Sequence, residues 1–542
     1  MGIIRSIRQV GERALLAECA DLAEVIALYD ELARRPLPGQ ADLLSAARSV
    51  LVVAETPAQA QAMREPLASL PVVRTARATG TPIVIDVVYD GADLSDVAAL
   101  LGLSPDAVIA AHTEQLWTGA FNGFAPGFAY CVGENQVLNV PRRPTPRTQV
   151  PAGSVGLAGE FSAIYPKASP GGWQLIGRTA AALWDLGRER PALINPGDRV
   201  RYVAVRELVS ARAICEPALE SVSEPLPDSA VKTGVPAVSR LPGGSPALRV
   251  IEPGWLSLIE DAGRPGLLGS GVSVSGAADH GAMHAANLAL GNEPGAAVIE
   301  TLGGLELAAH ATIAVAVVRP GAAAEVTALA AGDILRVPLP TQGMRTYLAI
   351  PGGIDVPPVL GSRSTDLLAG LGPAPLKAGD VLFAGALAPP VSLPLSPNID
   401  SGASASVCDA GNNAGTEEGA AGATFGVGAR TIRITPGPRD DWLTAEAYAS
   451  LGTQTWEVSG ESNRIGLRLL GEPLRRAVVR ELPSEGTQPG AIQLPPSGLP
   501  VVFLREHPVT GGYPVVAVVV AADLDVLAQA RPGSLLRFQT LS

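Results

Sequence analysis

Between Arg142 and Arg178 the chain sets guanidinium, hydroxyl and carboxylate groups on a backbone broken by six glycines and five prolines. Arg142, Arg143, Thr145, Arg147, Ser154, Glu160, Tyr165, Ser169 and Arg178 are among its polar residues. A guanidinium grips a carboxylate or phosphate through paired hydrogen bonds, and main-chain amides opened by Gly and Pro turns add further donors. The stretch therefore has the chemistry of an anion or carboxylate site. The alternative is a stiffened barrel wall whose arginines pair with the protein's own acids. Pro and Gly at this density exclude a regular helix, while β-favouring pieces such as Gly172 to Ile176 survive between the turns. Such a surface needs a β scaffold beneath it.

Generic catalytic signatures fail. Lys167, Lys232 and Lys377 are the three lysines of the chain, so neither a Gly-x-x-x-x-Gly-Lys phosphate loop nor a Met-Lys-Met biotin attachment site exists. Any nucleotide would rest on arginines and backbone amides. Among the five histidines, His280 and His284 share a helix face at i, i+4 beside Asp279, the one arrangement that could begin a metal site; packed or surface histidines are the favoured reading, and no metal is expected. Ala152-Gly-Ser154-Val-Gly156 resembles a nucleophile elbow, but Pro151 precedes it and no helix-forming run follows. Ser229-Ala-Val-Lys232 matches a Ser-x-x-Lys pair, yet it falls in a linker that cannot hold a nucleophile against its base.

A length of 542 residues exceeds one core and predicts three to four compact units. The hydrophobic content of 47% and mean hydropathy of +0.25 come from evenly spread Ala and Val, with no run of about 18 apolar residues that could span a membrane. Arg5, Arg8 and Glu12 interrupt the N-terminus, which argues against a secretory signal. Met1 to Ser6 matches a bare myristoylation pattern without a second membrane signal, and chance is the better reading. Cys19, Cys131, Cys215 and Cys408 are far apart, which fits a reducing cytoplasm better than a disulfide framework. A net charge of −12 and pI near 5.1 exclude a basic nucleic-acid face.

The pattern along the chain is mainly β with an α/β N-terminal piece. Residues 1–81 form that piece: helical apolar spacing over Asp21 to Arg34 behind an Asp21 cap, a strand at Ser49 to Ala54, and a helix from Pro57 to Leu70. Residues 82–217 read as a closed β unit with long loops: strands at Ile83 to Tyr89, Val155 to Ala158, Trp173 to Ile176 and Arg199 to Val205, and one helix near Ser104 to Thr113. Residues 218–247 are Pro-, Ser- and Glu-rich and read as a linker. Residues 248–542 are again mostly β, with a helix at His280 to Leu290 and a low-complexity insertion at 401–426 expected to be disordered. Four phrases, beginning at Asn195, Leu329, Lys377 and Arg531, each place a Gly-Asp or Gly-Ser turn before a strand. They form a weak repeat.

Whole phrases are more specific. Asn122-Gly-Phe-Ala-Pro-Gly-Phe-Ala-Tyr130, Pro141 to Gly159 and Ser169-Pro-Gly-Gly-Trp-Gln-Leu-Ile-Gly-Arg-Thr179 resemble the family once labelled allophanate hydrolase subunit 1, which includes KipI-type kinase inhibitors and is associated with the B subunit of 5-oxoprolinase. Glu260 to Gly266, Val274 to Asp279, Ala286 to Asn292, Tyr347 to Ile354, Leu360 to Thr365, Ser484 to Gln493 and Thr510 to Pro514 resemble the sister family, allophanate hydrolase subunit 2 or KipA-type, associated with the C subunit. The pair is also similar to the carboxyltransferase part of urea carboxylase. Two departures stand out: Glu160 replaces a usual Gln, and Glu506-His-Pro-Val occupies a stretch that usually carries Asp.

The resemblance implies several cyclophilin-like β-barrel units and a B–C fusion acting with a separate 5-oxoprolinase A subunit. The implied reaction is ATP- and Mg2+-dependent opening of 5-oxoproline, a small cyclic amide, to glutamate. It implies no membrane or nucleic-acid partner and allows a homo-oligomer. Asp261, Asp279 and Glu300 are the implied catalytic carboxylates, and Arg143, Arg147, Ser154, Tyr165, Trp173, Arg178, Arg264 and Arg363 the implied substrate-binding residues. In the sharpest form of this expectation, Arg147 and Arg178 share one cleft with Asp261 and Arg264. A carboxyltransferase component of a biotin-dependent amide carboxylase and a KipI-like regulatory module remain as alternatives. The linker and insertion together predict that limited proteolysis releases fragments of about 220 and 300 residues, sizes typical of separate domains; cuts spread through Arg142 to Arg178 would contradict this plan.

Overall fold

The computed structural model describes residues 3–72, 81–143, 145, 147–208, 244–386 and 428–541. The insertion read at 401–426, and all but the last four residues of the linker read at 218–247, lie outside the described residues. So do Cys215, Lys232 and Cys408.

Ala14–Cys19 and Ser49–Ala54 are nearly continuous apolar runs, the pattern of strands covered on both faces. They are the central strands of a four-stranded antiparallel sheet. Period-two alternation explains the double burial. Leu15, Ala17, Val50 and Val52 pack under the helices Leu22–Arg34 and Pro57–Ala68, while Ala14, Leu16 and Leu51 face Ala491, Phe503, Val515 and Val518 from the far end of the chain. Asp21 caps the first as the sequence expects, accepting from Glu24 N, and Thr56 caps the second, accepting from Gln59 N.

Two barrel-like sheets repeat one closure. In the first, seven strands run from Ile83–Val87 to Arg199–Ala204, and these two pair in parallel. Its edges are drawn together by reciprocal Val88 and Arg178 backbone bonds of 2.9 Å. In the second, a closed seven-stranded barrel spans residues 430–540, and Arg430–Pro436 pairs in parallel with Leu535–Thr540. Between them, residues 246–384 form two five-stranded sheets over a shared core that includes Val250, Ile299, Leu307, Val315 and Leu348. The helix His280–Ala289 covers the outer face of one of these sheets.

The four repeat phrases have one geometry. Gly197, Gly332, Gly379 and Gly533 all take φ between 83° and 94°. In each turn the next side chain accepts from a backbone N–H three residues earlier: Asp198 from Asn195, Asp333 from Ala330, Asp380 from Lys377 and Ser534 from Arg531. A glycine there avoids the Cβ penalty of the left-handed region, and the side-chain acceptor fixes the turn that feeds the following strand.

Helices at Leu94–Leu101 and Ala445–Thr453 were not expected from the sequence pattern. Among the described residues no single helix is long and apolar enough to cross a membrane. Because Leu51 lies on the face joining the N-terminal sheet to the C-terminal barrel, Leu51→Ala should cost about 2–5 kcal/mol, the range for deleting a buried Leu side chain, read as a lowered denaturation midpoint of the whole chain. An unchanged midpoint would show that this face adds nothing to stability.

Candidate functional site

The implied site residues divide into separate local structures. Arg143 Nη1 and Arg147 Nη2 both donate to Asp93 Oδ1, at 2.6 and 2.7 Å, and Leu175 N donates to Asp93 Oδ2 at 2.7 Å. Burial would raise the Asp93 carboxyl, but the Arg147 bond, the Leu175 amide and the charges of both arginines bring it below its usual value. Arg178 pairs with Asp90 at 2.8 Å on open surface. These arginines hold the barrel wall together, as in the alternative reading of their stretch. Ser154 lies inside that wall, and Tyr165 and Trp173 are buried with their ring centroids 5.2 and 5.5 Å from that of Phe128. Both rings belong to the core. Glu160 falls on the hairpin turn between Ser154–Ala158 and Phe161–Ile164.

Asp261 is equally committed. It accepts from Gly263 N, Ser362 Oγ, Arg363 N and Ser364 Oγ at 2.5–2.8 Å, which leaves little capacity for a base. Arg264 is fully buried, bonded to the Ser364 and Val359 carbonyls and 3.8 Å from Asp366. The Arg363 side chain pairs with Asp355 at the surface. Asp279 caps the helix His280–Ala289 and accepts from Gln529 Nε2 at 2.8 Å; burial lifts its carboxyl to about 6, with Asp525 adding to the rise. No described hydrogen bond or ion pair joins Arg147 or Arg178 to Asp261 or Arg264: the first two are bonded to Asp93 and Asp90, the second two to the 359–364 segment. The backbone knots remain informative: Phe124, Ser275 and Leu360 are the non-glycine residues at positive φ among the described residues, and each lies in one of the resemblance phrases. Strain of this kind concentrates at functional sites.

The two halves do meet, through other members of the same phrases. Phe124 N donates to Thr510 Oγ1 at 3.0 Å, Ala47 N donates to the Ser484 carbonyl at 3.1 Å, and Arg142 Nη2 reaches Ser484 Oγ at 3.5 Å. Asp42 accepts from Gly266 N at 2.8 Å. Gly123 faces Thr510 so closely that a Cβ would collide with its side chain.

At this seam lies a buried charge cluster built on Arg464. Its Nε donates to Glu506 at 2.5 Å, its Nη1 pairs with Glu300, and its Nη2 donates to the Gly276 carbonyl at 2.7 Å and sits 3.2 Å from Glu260. No side chain in this group of four exceeds 4% exposure. Burial alone would raise Glu300, but Arg464 and Arg345, with bonds from Ala278 N and the Tyr347 hydroxyl, hold it down at about 2. Glu300 is therefore a fixed anion that holds the two arginines, rather than the expected base. Burial pushes Glu260 well up against the pull of Arg464, with Glu300 and Glu506 adding to the rise. Neither Glu260 oxygen has a hydrogen bond. Burial also raises Glu506, with Arg464 opposing and Asp366 reinforcing.

A pocket of about 210 Å³ opens beside this cluster, lined by Lys167 to Pro170 from the first half and by Leu367, Leu368, Asn463 to Ile465 and Glu506 from the second. Lys167 has no ion pair or hydrogen bond among the described residues; burial lowers its ammonium pKa, while Asp366 and Glu506 push it back up. Lys167, Arg464 and Glu506 were absent from the expected site. Two signals pointed to them: Lys167 is one of three lysines yet lies inside the Arg142 to Arg178 stretch, and Glu506 stands at a departure from the family phrase.

Residues 5–194 match the family described as carboxyltransferase domain, subdomain C and D, and residues 270–540 match carboxyltransferase domain, subdomain A and B. The 5-oxoprolinase C subunit of Escherichia coli K12 is 34% identical over 305 residues, 54% of this chain and 90% of that protein. The 5-oxoprolinase B subunit of Escherichia coli O157:H7 is 48% identical over 128 residues, 23% of this chain and 59% of that protein. Urea amidolyase of Lachancea kluyveri is 30% identical over 330 residues, 55% of this chain and 17% of that protein. The crystal structure of TTHA0988 superimposes with a TM-score of 0.75 at 31% identity, covering 97% of this chain and 99% of the other.

The Glu300 carboxyl, at about 2 against an ordinary 4.5, stabilises the fold fully above about pH 4.5, and that contribution is lost as pH falls toward 2. Glu300→Gln should flatten this part of the acid-unfolding profile. Arg464→Met, which strands buried carboxylates, should cost about 3–5 kcal/mol by chemical denaturation; a loss below about 1 kcal/mol, the scale of an exposed pair, would mean the cluster is solvated.

Proposed function

The chain belongs to the carboxyltransferase-domain family, with subdomains C and D preceding A and B, and on that premise we propose that it is the fused B and C component of an ATP-dependent 5-oxoprolinase. One observation carries this reading. The first half is similar to the B subunit of a 5-oxoprolinase and the second to the C subunit, and a pocket opens where the two halves meet. The reaction is ring opening of 5-oxo-L-proline to L-glutamate with a separate A subunit, in a cytoplasmic setting that fits the cysteine pattern. We take residues 1–81, 82–217 and 248–542 as its domains and the barrel units as cyclophilin-like.

A lactam carbonyl is a poor electrophile because its nitrogen lone pair is delocalised, and phosphorylation of the lactam oxygen by ATP makes the carbon open to water. The seam pocket does not fit a triphosphate: it presents one ammonium beside an arginine already engaged by carboxylates. A triphosphate needs a wider array of donors. This chain's part is to hold the lactam in a water-restricted seam, with Arg464 fixed by Glu300 so that its position does not change with pH above the range in which Glu300 takes up its proton. The nucleotide belongs to the assembled complex.

A second reading is favoured by the family description itself: a carboxyltransferase component that acts with a biotin-carrying chain. The two readings separate on reconstitution. Purified chain alone is expected to release no glutamate from 5-oxoproline, and addition of a 5-oxoprolinase A subunit and ATP should give steady release, followed by coupled glutamate assay. Glutamate release without the A subunit would overturn the division of labour. Activity that depended on a biotinylated chain would replace the first reading with the second.

A further inference from the structure

Lys167 is unusual in its electrostatics. A half-buried ammonium carries a desolvation penalty that an ion pair normally offsets, yet no carboxylate lies within pairing distance of its Nζ among the described residues. The acids nearest in effect, Asp366 and Glu506, are already engaged. Asp366 accepts from Ala369 N at 2.7 Å and lies 3.8 Å from Arg264, and Glu506 is held by Arg464 at 2.5 Å. Among the described residues the ammonium thus has no ion-pair partner where it lines the pocket. It sits on the Tyr165-Pro-Lys-Ala-Ser169 turn, close to Gly370 of the opposite half.

Glu506 also lines the pocket; its Oε2 accepts one long bond of 3.2 Å, from Leu367 N, and a carboxylate oxygen carries more lone-pair capacity than that. The pocket therefore offers a cation to a negative group and an acceptor to an N–H donor. Its volume of about 210 Å³ equals roughly seven waters of liquid, the scale of one small ring with a single substituent.

We infer that the seam pocket selects a small cyclic amide bearing a carboxylate, with Lys167 binding the carboxylate and Glu506, held by Arg464, accepting from the amide N–H. This deepens the 5-oxoprolinase reading and rests on it for the identity of the ligand, but the polarity of the pocket follows from its own residues. It also explains why the two halves occur together: the group that binds the acid comes from one and the group that accepts from the amide from the other.

The test compares ligands that differ by one group. Full-length chain is titrated by calorimetry with 5-oxoproline and with 2-pyrrolidinone, which has the lactam and lacks the acid. Wild type should bind 5-oxoproline at least tenfold more tightly than 2-pyrrolidinone. Lys167→Met should remove that preference while leaving pyrrolidinone binding and thermal stability unchanged, and Lys167→Arg should restore part of it. Glu506→Gln should weaken both ligands. No preference in the wild type, no measurable binding of 5-oxoproline, or a preference that survives Lys167→Met would each overturn the assignment. Turnover with the A subunit present is read separately. Absence of turnover beside an intact Lys167-dependent preference would sink the 5-oxoprolinase reading and keep the site, whereas turnover with an unchanged KM in Lys167→Met would sink the site and keep the reading.

Discussion

One buried guanidinium ties the molecule together. Arg464 gathers Glu260, Glu300 and Glu506 from three separate segments, and a charge so placed tolerates no loss of partners, because each ion has given up its hydration. Glu260 and Glu300 come from neighbouring strands of the middle unit, paired so that Glu260 stands opposite Val298 and Glu300 opposite Leu258. Arg464 and Glu506 come from the C-terminal barrel. The cluster thus locks two units in one geometry and sets the floor of the pocket that the Lys167 turn closes. A hydrophobic contact could supply comparable stability, but it could not present a fixed cation and a carboxyl at defined positions.

The hydrophobic interface between the N-terminal sheet and the C-terminal barrel plays a complementary part. Ala14, Leu16 and Leu51 on one side and Phe503, Val515 and Val518 on the other bring the ends of the chain together, so the first half cannot drift from the second. Ion pairs rim this interface: Arg439 reaches both Glu18 at 2.5 Å and Glu485. Apolar area provides the attraction and the paired charges fix its register.

Local features were legible in the sequence because their causes are local. The Asp21 cap, the strand at Ser49–Ala54, the helix beginning after Ser104 and the four Gly-Asp or Gly-Ser turns all depend on residues within a few positions of one another. The whole-phrase resemblance also located Phe124, Arg142, Gly266, Ser484 and Thr510, which make contacts across the seam, but not Leu367 or Arg464 of the pocket. What could not be read was which charge meets which. Arg143 and Arg147 find Asp93 at separations of 50 and 54 residues, and Asp261 commits its lone pairs to Ser362, Arg363 and Ser364, which follow it by 101 to 103 residues. No period or spacing encodes such pairings. The short helices at Leu94–Leu101 and Ala445–Thr453 escaped for a different reason: short runs rich in Ala, Leu and small polar types carry little periodicity.

The composite seam has a definite observable. A crystal structure of the full chain bound to a 5-oxoprolinase A subunit and 5-oxoproline would test it most directly. The account predicts the ligand between the two halves, its carboxylate within hydrogen-bond distance of Lys167 Nζ and its lactam N–H on Glu506. Ligand bound wholly within one half, with Lys167 and Glu506 untouched, would contradict it.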